Sequence, residues 1–294
     1  MKKAKTVPIR INILAYNEAN FIQSCLHSVQ AALREAQHIS AEVNVICNGC
    51  TDNTFMLASE LCSKYTDWQV IDIEFGDKAN AWNTAIEHGI AKGNKLTIFL
   101  DGDCLMGTKT IQGFIDAYQQ NKFSYILAGI PKTKGRTTRN IISRTLKGEA
   151  LSGNLYALTP NFLNEITHRG FRLPIGLIGD DSLLAWVASH NFMLSNGFSY
   201  GFLIGCADAQ FTYHRLAPNS FNNIYLYFRR LMRYSLRHLQ QHAIREYLNE
   251  FDLFELLPTN VNALYDKITV KHLRISWIYS IFDMITYVKI RKIA

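Results

Sequence analysis

The sequence lacks any long uninterrupted hydrophobic run. Its longest stretch without Asp, Glu, Lys or Arg, residues 182–207, is broken by polar residues and by the turn pair Asn196–Gly197. This pattern predicts an amphipathic helix followed by a strand rather than a membrane span. Near the start, the apolar run 9–15 contains an arginine and an asparagine, which argues against a signal-peptide core.

Cysteines are also few, with six in 294 residues. Cys47 and Cys50 form a Cys-x-x-Cys spacing that suits a redox pair or half a zinc site, but no second pair matches it. The intervening Asn48–Gly49 is typical of a turn. Free thiols in a reducing cytoplasm are the simpler interpretation, and we expect a cytoplasmic protein.

Composition predicts a folded chain with a sizeable core, because 48% of its residues are hydrophobic. The length suits one large domain or one and a half. The net charge of +7 favours anionic partners such as nucleotides, phospholipid headgroups or nucleic acid. Nucleic acid has little support, since the basic residues are dispersed except on one helix. There are no internal repeats and no low-complexity linker.

Strands and helices alternate along the first half of the chain, which predicts a doubly wound α/β sheet of parallel strands. The second half is mixed, and the pattern becomes mostly helical from residue 219. The predicted strands are 10–15, 42–47, 68–74, 95–100, 125–130 and 155–158, and the predicted helices are 18–35, 52–65, 78–91, 108–120 and 139–150.

Polar residues follow three of these strands: Tyr16-Asn17-Glu18, Asn48-Gly49 and Asp101-Gly102-Asp103. The carboxyl ends of parallel strands meet at one edge, where such sheets bind ligands. Asp101 and Asp103 alone fit a surface turn. Their convergence with two other loops instead favours a site for Mg²⁺ or Mn²⁺, which prefer oxygen ligands and accompany phosphates.

A second acidic pair, Asp180 and Asp181, opens a helix. Either carboxylate suits an N-cap, and a neighbouring acid raises the proton affinity that a general base needs. Lys78 stands at another helix start, where it opposes the helix dipole. A phosphate bound at that helix terminus explains the lysine, and an ordinary solvated lysine fits equally.

Arg230, Arg233 and Arg237 share one helix face, which is either a solvated basic surface or a clamp for a diphosphate. His214 follows a predicted strand, and a lone histidine is usually structural unless a metal site lies nearby. The opposite, core-facing stripe of the same helix is predicted to comprise Phe221, Ile224, Phe228 and Leu231.

Taken in order, these motifs resemble those of glycosyltransferase family 2 over roughly residues 9–234. Residues 14–18 are similar to the opening strand and nucleotide loop of the family, and the Asp101–Asp103 pair is similar to its D-x-D metal motif. The remaining similar segments are Asn48–Thr54, Lys78–Asn83, Gly179–Asp181 and Arg230–Tyr234.

The resemblance implies an α/β fold of the GT-A type, with a doubly wound mixed sheet and a C-terminal helical extension. It implies a catalytic domain over 1–215, with a nucleotide-sugar half (1–130) and an acceptor half (131–215), followed by helices over 216–294. The activity it implies is inverting, metal-dependent transfer from a nucleotide sugar to an acceptor hydroxyl on a glycan, a lipid-linked molecule or a small molecule, in cell-surface glycan or glycolipid biosynthesis.

The resemblance also implies residue roles. Asp181 corresponds to the catalytic base, and Asp103 with His214 to the ligands of Mn²⁺ or Mg²⁺. The residues implied to bind the nucleotide sugar are Tyr16, Asn17, Glu18, Asn48, Asp52, Lys78, Asp101, Arg230 and Arg233. Cys47–Asn48 replaces the usual acid of the nucleotide loop, so the base identity stays open.

Two questions remain open at this stage. A non-catalytic nucleotide- or phospholipid-binding protein on the same fold is the alternative to an enzyme, whereas a nucleotidyltransferase needs a glycine-rich basic loop that residues 16–18 do not provide. The aromatic-rich segment 275–288, with basic residues after it, fits either a membrane interface on the inner face of the membrane or a core helix.

Overall fold

A computed structural model describes residues 7–36, 39–132, 135–213 and 221–292. Its first half is a parallel sheet, because four apolar strands are each separated by a helix that returns the chain to the same edge. The elements are β1 (Ile9–Ala15), α1 (Ile22–Glu35), β2 (Ala41–Asn48), α2 (Thr54–Cys62), β3 (Trp68–Ile73), α3 (Lys78–Ile90) and β4 (Leu96–Asp101). All seven were predicted, although α1 begins four residues later than expected.

The sheet continues into the second half, where it becomes mixed. The described strands form one eight-stranded sheet in the order β3-β2-β1-β4-β7-β6-β8-β5, in which β7 is antiparallel to β4 and β6. The elements are β5 (Cys104–Met106), α4 (Thr110–Gln120), β6 (Ile126–Pro131), α5 (Arg136–Leu146), β7 (Leu155–Leu158), α6 (Pro160–Arg169), α7 (Asp180–Ser189) and β8 (Leu203–Tyr213). The predicted mixed sheet is confirmed, and β5 and α6 were not predicted.

Hydrophobic cores cover both faces of the sheet, as the two-residue period of a strand requires. In β1, Ile11 and Ile13 pack with α1 and α4 on one face, while Leu14 packs with α3 on the other. Arg10 is buried in the same strand because Glu42 of β2 lies 3.0 Å from its guanidinium. The arginine that interrupts this apolar run is thus neutralised across the sheet.

The C-terminal part is helical. The long helix α8 (Phe221–Phe251) is followed by short 3₁₀ turns and by α9 (Tyr279–Ile290), which packs against α8. The buried Asp283 of α9 fixes this packing through Arg274, whose guanidinium lies 2.6 Å away and also bonds Ser235 of α8. None of the helices in the described ranges has the length and apolar character needed to cross a membrane.

The predicted division at residue 215 falls outside the described residues and stays a prediction, as does the division at 130. All six cysteines lie in the described part and carry free thiols, as predicted.

Candidate active site

A cavity of about 530 Å³ opens at the carboxyl ends of β1 and β4. The loop after β1, the end of β4, the first turns of α3 and α7, and one face of α8 form its walls. Seven of the twelve residues predicted for the site line this cavity, namely Tyr16, Glu18, Lys78, Asp101, Asp181, Arg230 and Arg233. Arg237 lines it as well, so the three arginines predicted to share a helix face all do so.

Asp101 ends β4 at a point where the chain passes very close to β1. A Cβ on Gly102 would lie 3.0 Å from the Cβ of Ala15, so a larger residue would push the two strands apart here. Asn154, just before β7, fixes Asp101 twice: its carbonyl accepts from the Asp101 amide at 3.0 Å, and its side-chain amide donates to the carboxylate at 3.2 Å. Asp101 is therefore held rigidly at the rim of the cavity.

Lys78 at the start of α3 faces two carboxylates. Its Nζ lies 2.8 Å from Asp101 Oδ1 and 3.8 Å from Asp180 Oδ2. Burial opposes the lysine's charge, but Asp101 and Asp180 outweigh it and raise the pKa of Lys78. Asp77 caps α3 by accepting from the Asn80 amide at 2.8 Å. The two carboxylates are thus enough to explain why a lysine occupies this unfavourable helix position, whether or not a phosphate binds there.

The first turn of α7 places Asp181 between the cavity wall and α8. The N-cap position is Gly179, whose φ of 99° is left-handed, so neither aspartate is the N-cap. Asp181 Oδ1 accepts from the Ser182 amide at 2.8 Å and from the Arg237 guanidinium at 2.9 Å. Burial and the neighbouring Asp180 raise the pKa of Asp181, against the opposing pull of Arg237.

Several acids around the cavity repel one another. Burial and the charges of Asp103 and Asp101 raise the pKa of Glu18 to about 7. Burial likewise raises the pKa of Asp101 to about 6, even though Lys78 lowers it. Asp180 Oδ2 is buried and has no hydrogen-bond partner in the described part of the chain. This accumulation of negative charge would be relieved by a cation.

The described residues contain no group of three or more His, Cys, Asp or Glu side chains arranged to hold a metal ion. Mg²⁺ and Mn²⁺ nevertheless bind through one or two carboxylates when substrate phosphates supply the other ligands. Asp101 and Asp103, with the unsatisfied Asp180 oxygen nearby, fit that mode of binding. His214, the predicted histidine ligand, lies outside the described residues.

Four predicted residues do not line the cavity. Asn17 and Asp52 join the loops after β1 and β2, since Asn17 Oδ1 accepts from the Thr51 amide at 2.8 Å and Asp52 accepts from the β1 loop at 3.2 Å. Asn48 is buried, and its Oδ1 accepts from the amide of residue 77 at 2.8 Å. Asp103 is the fourth, and its carboxylate accepts from the Cys104 thiol at 3.3 Å.

A second cavity, of about 780 Å³, adjoins the first and was not predicted. Gly179, Asp181 and Arg237 line both cavities, so Asp181 stands on the wall between them. Trp186 of α7 and Arg245 of α8 also line this space, with the guanidinium carbon 5.4 Å from the indole ring. These residues come from separate elements of the fold, so no local sequence motif predicts that they form a cavity.

Comparison with solved structures shows the fold. The mannosyltransferase PcManGT from Pyrobaculum calidifontis, solved with GDP-Man and Mn²⁺, matches over 99% of this chain and 86% of its own, with a TM-score of 0.60 and 16% identity. TarS (1–349) from S. aureus, solved with UDP, matches over 90% of this chain and 76% of its own, with a TM-score of 0.51 and 16% identity. The predicted GT-A type fold is confirmed.

Sequence comparison is consistent with this fold. Glycosyltransferase AglE of Haloferax volcanii is 34% identical over 102 residues, which are 34% of this chain and 32% of that relative. The model of the family described as "Glycosyl transferase family 2" matches residues 11–173. This match covers more than half of the chain, includes Asp101 and Asp103, and ends before α7. The chain belongs to glycosyltransferase family 2.

Proposed function

We propose that the protein transfers a sugar from a nucleotide-sugar donor to an acceptor hydroxyl in a metal-dependent reaction that inverts the sugar configuration. The observation that carries the proposal is the single cavity in which a carboxylate of raised pKa, Asp181, shares a wall with Asp101 and three arginines. A base, an anion-binding face and a carboxylate rim are the parts that such a transfer requires.

The donor occupies the 530 Å³ cavity with its diphosphate against α8. Arg230 and Arg233 suit this role because guanidinium groups bind phosphate oxygens through paired hydrogen bonds. Tyr16 has a half-exposed ring at the entrance and offers a surface for the nucleoside. Asn17, Asn48 and Asp52 were predicted to bind the donor directly; through their loop contacts they would instead shape the loops that face the nucleoside. PcManGT was solved with GDP-Man and TarS with UDP, which supports a nucleotide-linked donor.

Asp103, together with Asp101, would hold Mn²⁺ or Mg²⁺ beside that diphosphate, with His214 as the further predicted ligand. The ion would neutralise the charge that develops on the departing nucleoside diphosphate. Lys78 neutralises the Asp101 oxygen that it contacts, at 2.8 Å, so Asp103 is the freer of the two carboxylates. PcManGT was solved with Mn²⁺, which supports the use of a divalent metal.

Asp181 would remove the proton from the acceptor hydroxyl as its oxygen attacks the anomeric carbon. Its raised pKa favours proton uptake, and the ion pair with Arg237 fixes the carboxylate in position. A single displacement forms the new glycosidic bond as the bond to the diphosphate breaks, so the configuration inverts.

The acceptor would approach through the 780 Å³ cavity, because Asp181 lines that space as well as the donor cavity. Trp186 provides an aromatic surface there, and Arg245 a hydrogen-bond donor, both suited to a glycan or a lipid-linked sugar. We place the reaction in the cytoplasm, peripheral to the inner face of the membrane, in the synthesis of cell-surface glycans or glycolipids.

A screen of nucleotide sugars with Mn²⁺ by thermal shift, followed by NMR of the product, tests the proposal. A ligand at a hundred times its dissociation constant adds about 2.7 kcal/mol to stability, which is readily detected. The expected product carries the anomeric configuration opposite to that of the donor. Retained configuration would exclude single displacement, and tight donor binding without any turnover would favour the non-catalytic alternative.

A further inference from the structure

We propose that the C-terminal segment 275–292 is a docking surface for an anionic lipid bilayer, which it contacts without crossing. One face of α9 is committed to the protein, because Asp283, Thr286 and Ile290 are buried. The other face is open to solvent. This arrangement answers the question that the sequence left open, since the segment packs on α8 and still presents an apolar surface.

The open face is strongly apolar. The side chain of Trp277 is 97% exposed and that of Ile281 is 61% exposed, although such residues are normally buried. The large exposed apolar residues on the segment form what we call the apolar face: Ile275, Trp277, Ile278, Ile281, Met284, Ile285 and Val288. The last five follow helical spacing and lie on one side, as expected for a helix that rests in an interface.

The helix α8 adds an exposed aromatic ring beside α9. Phe228, predicted to face the core, is instead 52% exposed, and its ring lies 5.8 Å from that of Phe282 in α9. The prediction was wrong because α9 covers only one side of this ring. An exposed patch spanning two helices indicates an interaction surface rather than isolated surface residues.

Charge identifies the occupant. Lys289, Arg291 and Lys292 are exposed at the end of the segment, and residues 284–292 contain no acid. Asp283, the acid nearest to them, is already paired with Arg274. A face with tryptophan and isoleucine beside a cluster of cations is complementary to a bilayer with anionic headgroups, where tryptophan favours the headgroup level.

Flotation of the full chain with lipid vesicles tests the proposal. We expect binding to phosphatidylcholine vesicles that contain phosphatidylglycerol, and much weaker binding to phosphatidylcholine alone. The double variant Trp277→Ser/Ile281→Ser should reduce partitioning by about tenfold or more. Replacing Lys289 and Arg291 by glutamine should reduce it by about fivefold per charge, and added salt should have the same effect.

Matched controls separate lipid contact from loss of structure. Phe123→Ser removes a large ring that is 87% exposed outside this surface, and Lys92→Gln removes an exposed cation from the end of α3. Both should float like the wild type, and all variants should keep the wild-type thermal transition. Equal flotation of wild type and the Trp277/Ile281 variant overturns the proposal. So does sedimentation that reveals a dimer abolished by that variant, because the face would then bind a second copy.

Discussion

Asp181→Asn is the substitution that bears most directly on the proposed chemistry. Asparagine has the same shape and keeps an oxygen for the Ser182 amide, but it cannot take up a proton at neutral pH. A positioned general base contributes about 10²- to 10⁴-fold to a rate, so we expect turnover to fall by about 10²-fold or more. That loss corresponds to at least about 2.7 kcal/mol of transition-state stabilisation.

The structure also sets the side effects of this change. Arg237 loses its charged partner at 2.9 Å but keeps its hydrogen bond to Ser182 Oγ, and because its side chain is one-third exposed, water can replace the carboxylate. The substitution should therefore lower the free energy of unfolding by only about 1 kcal/mol. The dissociation constant of the donor should change little, because the arginines that face the diphosphate remain in place.

Steady-state turnover and calorimetric donor binding should be measured on Asp181→Asn and on Asp208→Asn. The latter makes the same change at an exposed site in β8 and should behave like the wild type. Turnover of the Asp181 variant within a few-fold of the wild type would remove this residue from the mechanism. A loss of donor binding equal to the loss of rate would assign it to binding instead.

Three further substitutions test the contacts around the site and the C-terminal packing by urea denaturation. Lys78→Met should lower the free energy of unfolding by about 2 kcal/mol, because the carboxylate of Asp101 loses its cation. The same change should raise the pKa of Asp101 above about 6. An unchanged NMR titration of this carboxyl would contradict that account. Gly179→Ala should lower the free energy of unfolding by about 2 kcal/mol, because φ at this position is left-handed and a Cβ would lie 2.6 Å from Arg237 Nε. A variant as stable as the wild type would mean that the turn relaxes. Asp283→Asn should cost about 3 kcal/mol at pH 7. Burial acts to raise the pKa of Asp283, but its hydrogen bonds lower it. This stabilisation is therefore present above about pH 4 and lost as the pH falls further. A difference in the free energy of unfolding between variant and wild type that does not shrink in acid would refute the pairing.

The parallel half of the sheet was predictable because its signals are local. β1 and β4 are mostly apolar runs followed by polar residues, and each intervening helix carries its own periodicity. β5 has three residues, too few to show a period, and it exists only because β8 pairs with it. Short strands of this kind are fixed by tertiary contacts and not by their own sequence.

The same distinction applies to the site. Asp101 and Asp181 were identifiable from short motifs, whereas their partners were not. Asn154 lies 53 residues from Asp101, and Arg237 lies 56 residues from Asp181, so spacing alone could not pair them. The sequence left Lys78 open between a phosphate ligand and a solvated lysine, and could not show that it contacts carboxylates because α3 and α7 begin at the same sheet edge.

The helix α8 has two working sides. One side presents Arg230 and Arg233 to the cavity, and another packs against α9, whose apolar face stays exposed. If lipid binding favours one position of α8, it changes the affinity of the protein for its donor by a certain factor. Thermodynamic linkage then requires bound donor to change the affinity for lipid by the same factor. Binding to a bilayer and binding of the nucleotide sugar would in this way be coupled through the single helix α8.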